Sequence, residues 1–225
     1  MAARTQPSQL LHLFEGIPAI AVVDLETTGF IPGTDRVVEV AVVRVDRNGQ
    51  QRVLETLVNP QGPVGPTDVH GIDALDVEGA PIFADILGPL RDILDGALVI
   101  AHNAGFDVGF LESEMRYAGA RYGQPWLCTL ALARTLHPER RGRGSNRLAT
   151  LTRLYAIRNQ HAHRALGDAL ATRDLLDALL LEQVGDPHLR QLVSSLIQRT
   201  EPPKWPEDLK GHSLLAPREP ALEVA

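Results

Sequence analysis

Apolar and polar positions alternate unevenly along this chain, and the rhythm outlines most of its elements. Residues 19–25 form an apolar, β-branched run broken only by Asp24, and Val38, Val40, Val42 and Val45 mark a second strand over 36–46. Asn48-Gly49 is a strong hairpin signal leading to a third strand over 51–58. Beyond Pro81, the positions of Phe83, Ile86, Leu87, Leu90 and Leu94 predict a helix over 81–95. A fourth strand is expected over 97–102 and a short fifth at Trp126–Cys128, with helices over 105–119, 129–136, 146–155 and 164–184. Leu189, Leu192, Val193, Leu196 and Ile197 continue a helical pattern through 186–200. Three antiparallel-capable strands followed by alternating strand and helix segments predict an α/β protein, a mixed five-stranded sheet flanked by helices.

The polar residues that interrupt this pattern carry the chemistry. Asp24 and Glu26 stand two apart at the end of the first strand, so their side chains share a face. Neighbouring carboxylates resist joint ionisation unless a cation lies between them. Hard oxygen donors without a cysteine or histidine cluster favour magnesium or manganese over zinc. A strand end with two solvated acids before a turn is the ordinary alternative.

Asp107 follows the fourth strand, through His102-Asn103-Ala104-Gly105-Phe106, and falls in the first turn of a helix, where an aspartate is also favoured by the helix dipole. His163 and Asp168 open the longest apolar-rich segment. Five positions subtend about 140° on a helix, so the two do not share a face if both are helical. His163 is therefore expected in the preceding loop, over a site that Asp168 reaches from the helix. Taken singly, each of these residues also reads as a cap or a surface residue.

Their conjunction in one order resembles the DEDDh family of 3′ to 5′ exonucleases. The resemblance covers about residues 17 to 184 and rests on Asp24-Leu25-Glu26-Thr27-Thr28-Gly29, Val69-His70-Gly71-Ile72, the segment from His102 to Asp107, and His163-Arg164-Ala165-Leu166-Gly167-Asp168. It is similar above all to the proofreading epsilon subunit of bacterial DNA polymerase III and its stand-alone relatives. The resemblance implies the ribonuclease H-like exonuclease fold, with Asp24, Glu26, Asp107 and Asp168 holding two divalent ions, Mg2+ or Mn2+. It implies His163 as the general base, so activity should fall on acidification. It further implies substrate contacts from Thr27, Thr28, Gly29 and His70, and from Phe106 as a stacking surface. A turn glycine and a core phenylalanine are the plain readings of Gly29 and Phe106. His102 and Asn103 are expected to orient the Asp107 loop, or to satisfy strand-end backbone groups.

The expected substrate is the 3′ end of single-stranded or mispaired DNA, in proofreading or repair. RNA trimming by the same chemistry is the alternative. The oligoribonuclease branch commonly carries methionine where this chain has Thr27, which favours DNA. A noncatalytic polymerase-bound scaffold would be expected to lack a ligand, and none of the four is missing.

Composition adjusts this picture. The 225 residues are 44% hydrophobic, with a formal charge of −6, the wrong sign for a broad duplex-binding surface. The charge is uneven, however: Arg134 to Arg164 holds eight arginines against one acid, Glu139, a stretch suited to gripping phosphates or simply to solvation. Its Gly-rich part, Arg140 to Asn146, looks like a mobile loop. One cysteine, Cys128, excludes an intrachain disulfide, and no long apolar segment is present, so a cytoplasmic protein without membrane contact is expected.

The organisation expected is an N-terminal segment, 1–16, an exonuclease domain, 17–185, a C-terminal helix, 186–200, and a proline-rich tail, 201–225. Ser8 to Phe14 loosely resembles a sliding-clamp binding peptide, with His12 departing from the aliphatic position. An amphipathic segment packed beside the first strand explains it without a partner.

Overall fold

The computed structural model describes residues 13–159, 162–207 and 209. Five strands, β1 (Ala19–Thr27), β2 (Val37–Asp46), β3 (Gln51–Leu57), β4 (Ala97–Ala101) and β5 (Trp126–Cys128), form one sheet in the order β3-β2-β1-β4-β5. β1 pairs antiparallel with β2 and parallel with β4, β2 pairs antiparallel with β3, and β4 parallel with β5. The mixed sheet expected from the sequence is thus present, with β1 at its centre. The β2–β3 turn uses Gly49 at φ 83, its N–H donating to Asp46 O, as the Asn-Gly pair anticipates.

Alternation along β1 sends its side chains into two cores. Ile20 and Val22 join Ala41, Val43, Leu98 and Ile100 under α5 (Thr129–Leu136), α6 (Leu148–Leu154), α7 (Ala165–Leu181) and α8 (Leu189–Leu196). Ala19, Ala21, Val23 and Leu25 join Val40, Val42 and Val99 on the other face, under α3 (Leu87–Leu94) and α4 (Gly105–Tyr117). Leu13 and Phe14, the described residues of the clamp-like segment, are buried in the first core. Residues 8–12 of that segment lie outside the described residues.

Three details depart from the sequence expectation. The single helix over 81–95 is a 3-10 turn, Phe83–Ile86, leading into α3. Pro89, which has no N–H, sits in the first turn of α3, where no intrahelical donor is needed. Two short helices, α1 (Thr67–His70) and α2 (Ala74–Glu78), appear where no periodicity marks them. α2 is set instead by a reciprocal cap, in which Asp73 accepts from Leu75 N and Asp76 N while Asp76 accepts from Asp73 N.

The described part of the proline-rich segment, 201–207 and 209, is extended and runs beside the segment that leads into β5. Gln198 exchanges two backbone hydrogen bonds with Trp126 of β5, and Lys204 does the same with Arg121. A Cβ on Gly123 would lie 2.2 Å from Pro203 N, so this close approach admits only glycine. Trp205 folds back onto the second core. Among the described residues no helix is long and apolar enough to cross a membrane.

Candidate active site

β1 ends in Asp24 and Glu26, which point to the face covered by α7 and stay partly open to solvent. α7 begins at Ala165, so Asp168 lies in its first turn. Oxygens of Asp24, Glu26 and Asp168 all approach within 4.8 Å of one another. Some 140 residues of sequence separate the members of this cluster, and the fold closes that gap.

Asp107 enters from the first turn of α4 and is buried, 4% exposed. It stands outside the tight triad but close enough that its charge acts on Asp24. Burial first, then the charges of Asp107, Asp168, Glu26 and Glu39, holds the Asp24 carboxyl well above the usual carboxylate range. Burial, with Asp168 and Glu39, pushes Glu26 up to about 7 against the opposing pull of Arg164. Asp107 is pushed up to about 8, mainly by burial, while the backbone amides of Asp107 and Leu25 lean the other way. So many carboxylates facing one another without a compensating cation are unfavourable when ionised, and hard oxygen donors of this kind suit a divalent ion. The residues present therefore fit such an ion.

His163 lies just outside α7, as expected, and is exposed. Its φ is 66, and its backbone N–H donates to Asp168 Oδ2 at 3.2 Å. Among the described residues its ring makes no hydrogen bond, so the imidazole is not locked against the carboxylates. Asn159 donates from Nδ2 to the other oxygen, Asp168 Oδ1, and so fixes the carboxylate from both sides. Lone pairs remain on both oxygens for a cation.

Glu39 is the site residue that the hydrophobic pattern hides. It pairs in register with Glu26 across β1 and β2, beside a β-bulge at Glu26/Thr27, and is 1% exposed. Both oxygens are engaged: Arg164 reaches Oε1 at 2.6 Å, and Ala165 N donates to Oε2 at 2.9 Å. The sheet thereby caps α7 and fixes the segment carrying His163 and Asp168. A lone acid within an apolar strand beside the Asp24 strand is the signal that would have found it.

The remaining residues singled out lie in the turn after β1, in α1 and around the start of α4. Thr27 Oγ1 donates to Gly29 O at 2.6 Å, and the Thr28 amide is already spent on Arg36 O at 2.8 Å. Thr28 Oγ1 accepts from Arg36 N, and the Arg36 guanidinium forks onto buried Glu114. A Cβ on Gly29 would lie 2.4 Å from an Asp35 carboxylate oxygen, which explains the glycine. The Thr28 backbone donor thus has a partner inside the turn.

His70 ends α1, is 3% exposed, and accepts from Ile72 N at Nδ1, while among the described residues Nε2 is buried without a partner. Phe106 is half-buried, its ring 4.9 Å from that of Phe110, so packing accounts for much of its surface. Asn103 is exposed at φ 68, a left-handed position that asparagine tolerates. His102 does not orient the Asp107 loop: Thr129 Oγ1 lies 2.9 Å from its Nδ1 and Asn146 O 3.0 Å from its Nε2. A carbonyl can only accept, so Nε2 carries the hydrogen. Burial, helped by Arg134, lowers His102 to about 4 and keeps it neutral.

Relatives and solved structures share this frame. A putative bifunctional exonuclease/endonuclease protein of Mycobacterium tuberculosis is 40% identical over 174 residues, 73% of this chain and 27% of its own length. The DNA polymerase III PolC-type protein of Caldanaerobacter subterraneus subsp. tengcongensis is 32% identical over 182 residues, 79% of this chain and 13% of its own length. A DNA polymerase III subunit epsilon-like protein of Rhodobacter capsulatus is 35% identical over 165 residues, 71% of this chain and 23% of its own length. The chain thus spans between 13% and 27% of these relatives.

Exonuclease X in complex with 5′ overhanging duplex DNA superposes with a TM-score of 0.59 at 26% identity, covering 73% of this chain and 93% of that one. E. coli exonuclease I in complex with a dT13 oligonucleotide shares the fold, with a TM-score of 0.62 at 19% identity over 77% of this chain and 43% of that one. The ribonuclease H-like exonuclease frame is common to these solved structures and this chain, and the exonuclease model of the RNase T family matches residues 21–176, so this chain belongs to that family.

Proposed function

We propose that the chain removes nucleoside 5′-monophosphates stepwise from the 3′ ends of single-stranded or mispaired DNA, in the cytoplasm, during proofreading or repair. The observation that carries this reading is the meeting of Asp24, Glu26 and Asp168 around one point, with Asp107 beside them. These four carboxylates would hold two divalent ions, Mg2+ or Mn2+, which lower the cost of deprotonating water and of charge on the leaving oxygen. His163 would take the proton from the attacking water, from a backbone position tied to Asp168. Its unpinned ring allows the approach that this role demands. The orphaned donor at His70 Nε2 is suited to an acceptor on the terminal nucleotide, and Phe106 to its base. Thr27, Thr28 and Gly29 would serve by shaping the turn beside the cluster.

DNA is favoured because the solved neighbours named above hold DNA, and a polymerase partner is suggested by relatives named for DNA polymerase III. RNA is the second reading, since the matching family takes its name from RNase T. The test is digestion of 3′-labelled single-stranded DNA, mispaired duplex and short RNA, with magnesium or manganese and with a chelator. Early release of labelled mononucleotide from DNA, abolished by the chelator, is expected. Faster turnover of RNA would transfer the assignment to RNA trimming, and no product from any substrate would end it.

A further inference from the structure

At the end of β4, the strand that leads to Asp107, lies a cleft of about 690 Å³ that the proposed chemistry does not use. One wall is the end of β4, where His102 and Asn103 stand five and four residues ahead of Asp107. The rest is α5 and the loop that follows it, which contribute Arg134, Arg140, Arg141, Arg143 and Arg147. Arg140 lies 3.9 Å from Glu139, and among the described residues the other four guanidiniums have no carboxylate within 4.0 Å. The Arg140 guanidinium lies over the Tyr155 ring, 5.6 Å from its centroid, and among the described residues its Nη1 is buried without an acceptor. A buried cationic donor left unpaired is costly, so an acceptor from outside the protein is favoured there.

Internal hydrogen bonds organise the Gly-rich loop. Ser145 Oγ lies 3.0 Å from Arg140 O and 2.9 Å from Gly142 O, and Thr150 Oγ1 donates to Gly144 O at 2.9 Å. His102 pins Asn146 to the strand end that leads to Asp107. The loop that carries Arg140, Arg141, Arg143 and Arg147 is therefore tied to that strand end. A polyanion approaching that acidic cluster in a chain of net charge −6 needs a cationic counter-surface, and arginine forks match phosphate oxygens.

We infer that this cleft is a second, noncatalytic anion site that holds the phosphodiester backbone on the 5′ side of the nucleotide being removed. The inference rests on the exonuclease reading above. Its consequence is a division of labour, with the carboxylates acting on the last phosphodiester and the arginines supplying affinity for longer strands.

The test compares wild type with an Arg134→Gln/Arg141→Gln/Arg143→Gln variant, changed only at exposed side chains, and with the three-lysine counterpart. Binding of a labelled dT20 is measured by anisotropy in chelator, so that hydrolysis plays no part. We expect the glutamine variant to bind about tenfold or more weakly and its salt slope to flatten by about two, at roughly 0.7 per phosphate contact, with lysine restoring most of both. Under turnover, the ratio of kcat/KM for dT20 to that for the p-nitrophenyl ester of thymidine 5′-monophosphate should fall at least tenfold. Unchanged dT20 affinity and slope, or an equal fall for both substrates, would overturn the inference. Loss confined to the duplex part of an overhanging substrate would also overturn it, in favour of the complementary strand. A wild type that binds dT20 but cleaves neither substrate would refute the exonuclease reading instead and leave the anion site standing.

Discussion

Glu39, near the start of β2, forms a two-pronged ion pair with Arg164, 125 residues later, and the same carboxylate caps Ala165. The sheet strand opposite Glu26 therefore positions the helix that carries Asp168. Glu39→Ala should cost about 2 kcal/mol, because a buried charge-assisted pair and a cap are lost while Arg164 remains partly solvated. At this chain length that is a fall in Tm of about 4–8 °C. Glu39→Gln keeps an acceptor for Ala165 N and should restore most of the stability, while kcat stays reduced about tenfold because Arg164 is released. Full activity in both variants would refute a positioning role.

Asp24→Asn should abolish hydrolysis yet stabilise the metal-free protein above neutral pH. Asp24, Glu26 and Asp107 have raised values in the folded state, so folding holds protons that the unfolded chain has released. Their favourable contribution is present below pH about 4, the unfolded value, and is lost as pH rises through about 7 to 8. In chelator, wild-type Tm should fall between pH 6.5 and 8, and magnesium should reverse the fall. Asp24→Asn should sit at least about 1 kcal/mol above metal-free wild type at pH 8, or about 2–4 °C. A Tm independent of both pH and metal would contradict the electrostatic picture of the site.

His163→Ala should slow hydrolysis by about 10²–10⁴, the range for loss of a positioned base. The magnesium-induced rise in Tm should persist. Near wild-type turnover in the variant would refute the role.

Gly65→Ala should disturb the turn after β1 from outside it. Gly65 sits at φ 82, and an added Cβ would lie 2.2 Å from Thr28 O, a backbone atom with little room to yield. The left-handed conformation alone costs a non-glycine residue about 1–2 kcal/mol. With the overlap included, we expect at least about 2 kcal/mol, seen as a Tm fall of about 4–8 °C, and slower cleavage. Wild-type melting would mean that the 60–65 segment moves freely from Thr28.

Side-chain periodicity encodes burial, and the elements that bury a regular face were readable for that reason. The span of α5 and the three residues of β5 match their expected bounds, and His163 lies in the loop that its angular separation from Asp168 demanded. Asp24, Glu26 and Asp168 were legible because carboxylates at strand and helix ends interrupt an apolar pattern. Glu39 was not, since its partner is 125 residues away and the valines around it dominate the pattern. α1 and α2 are too short for any period to register, and α2 is fixed by Asp73 and Asp76 alone. Pairing of Gln198 with Trp126 is a main-chain contact, which no order of side chains announces.

That last contact bears on how such a module is carried within larger proteins. With Gln198 paired to Trp126 and Lys204 to Arg121, main-chain groups at the start of β5 and in the segment ahead of it are engaged internally, and strand addition there would first require those pairs to open. β3 is the sheet's other margin. Among the described residues no strand pairs with the outer side of β3, so extension of the sheet there would displace no strand already in place.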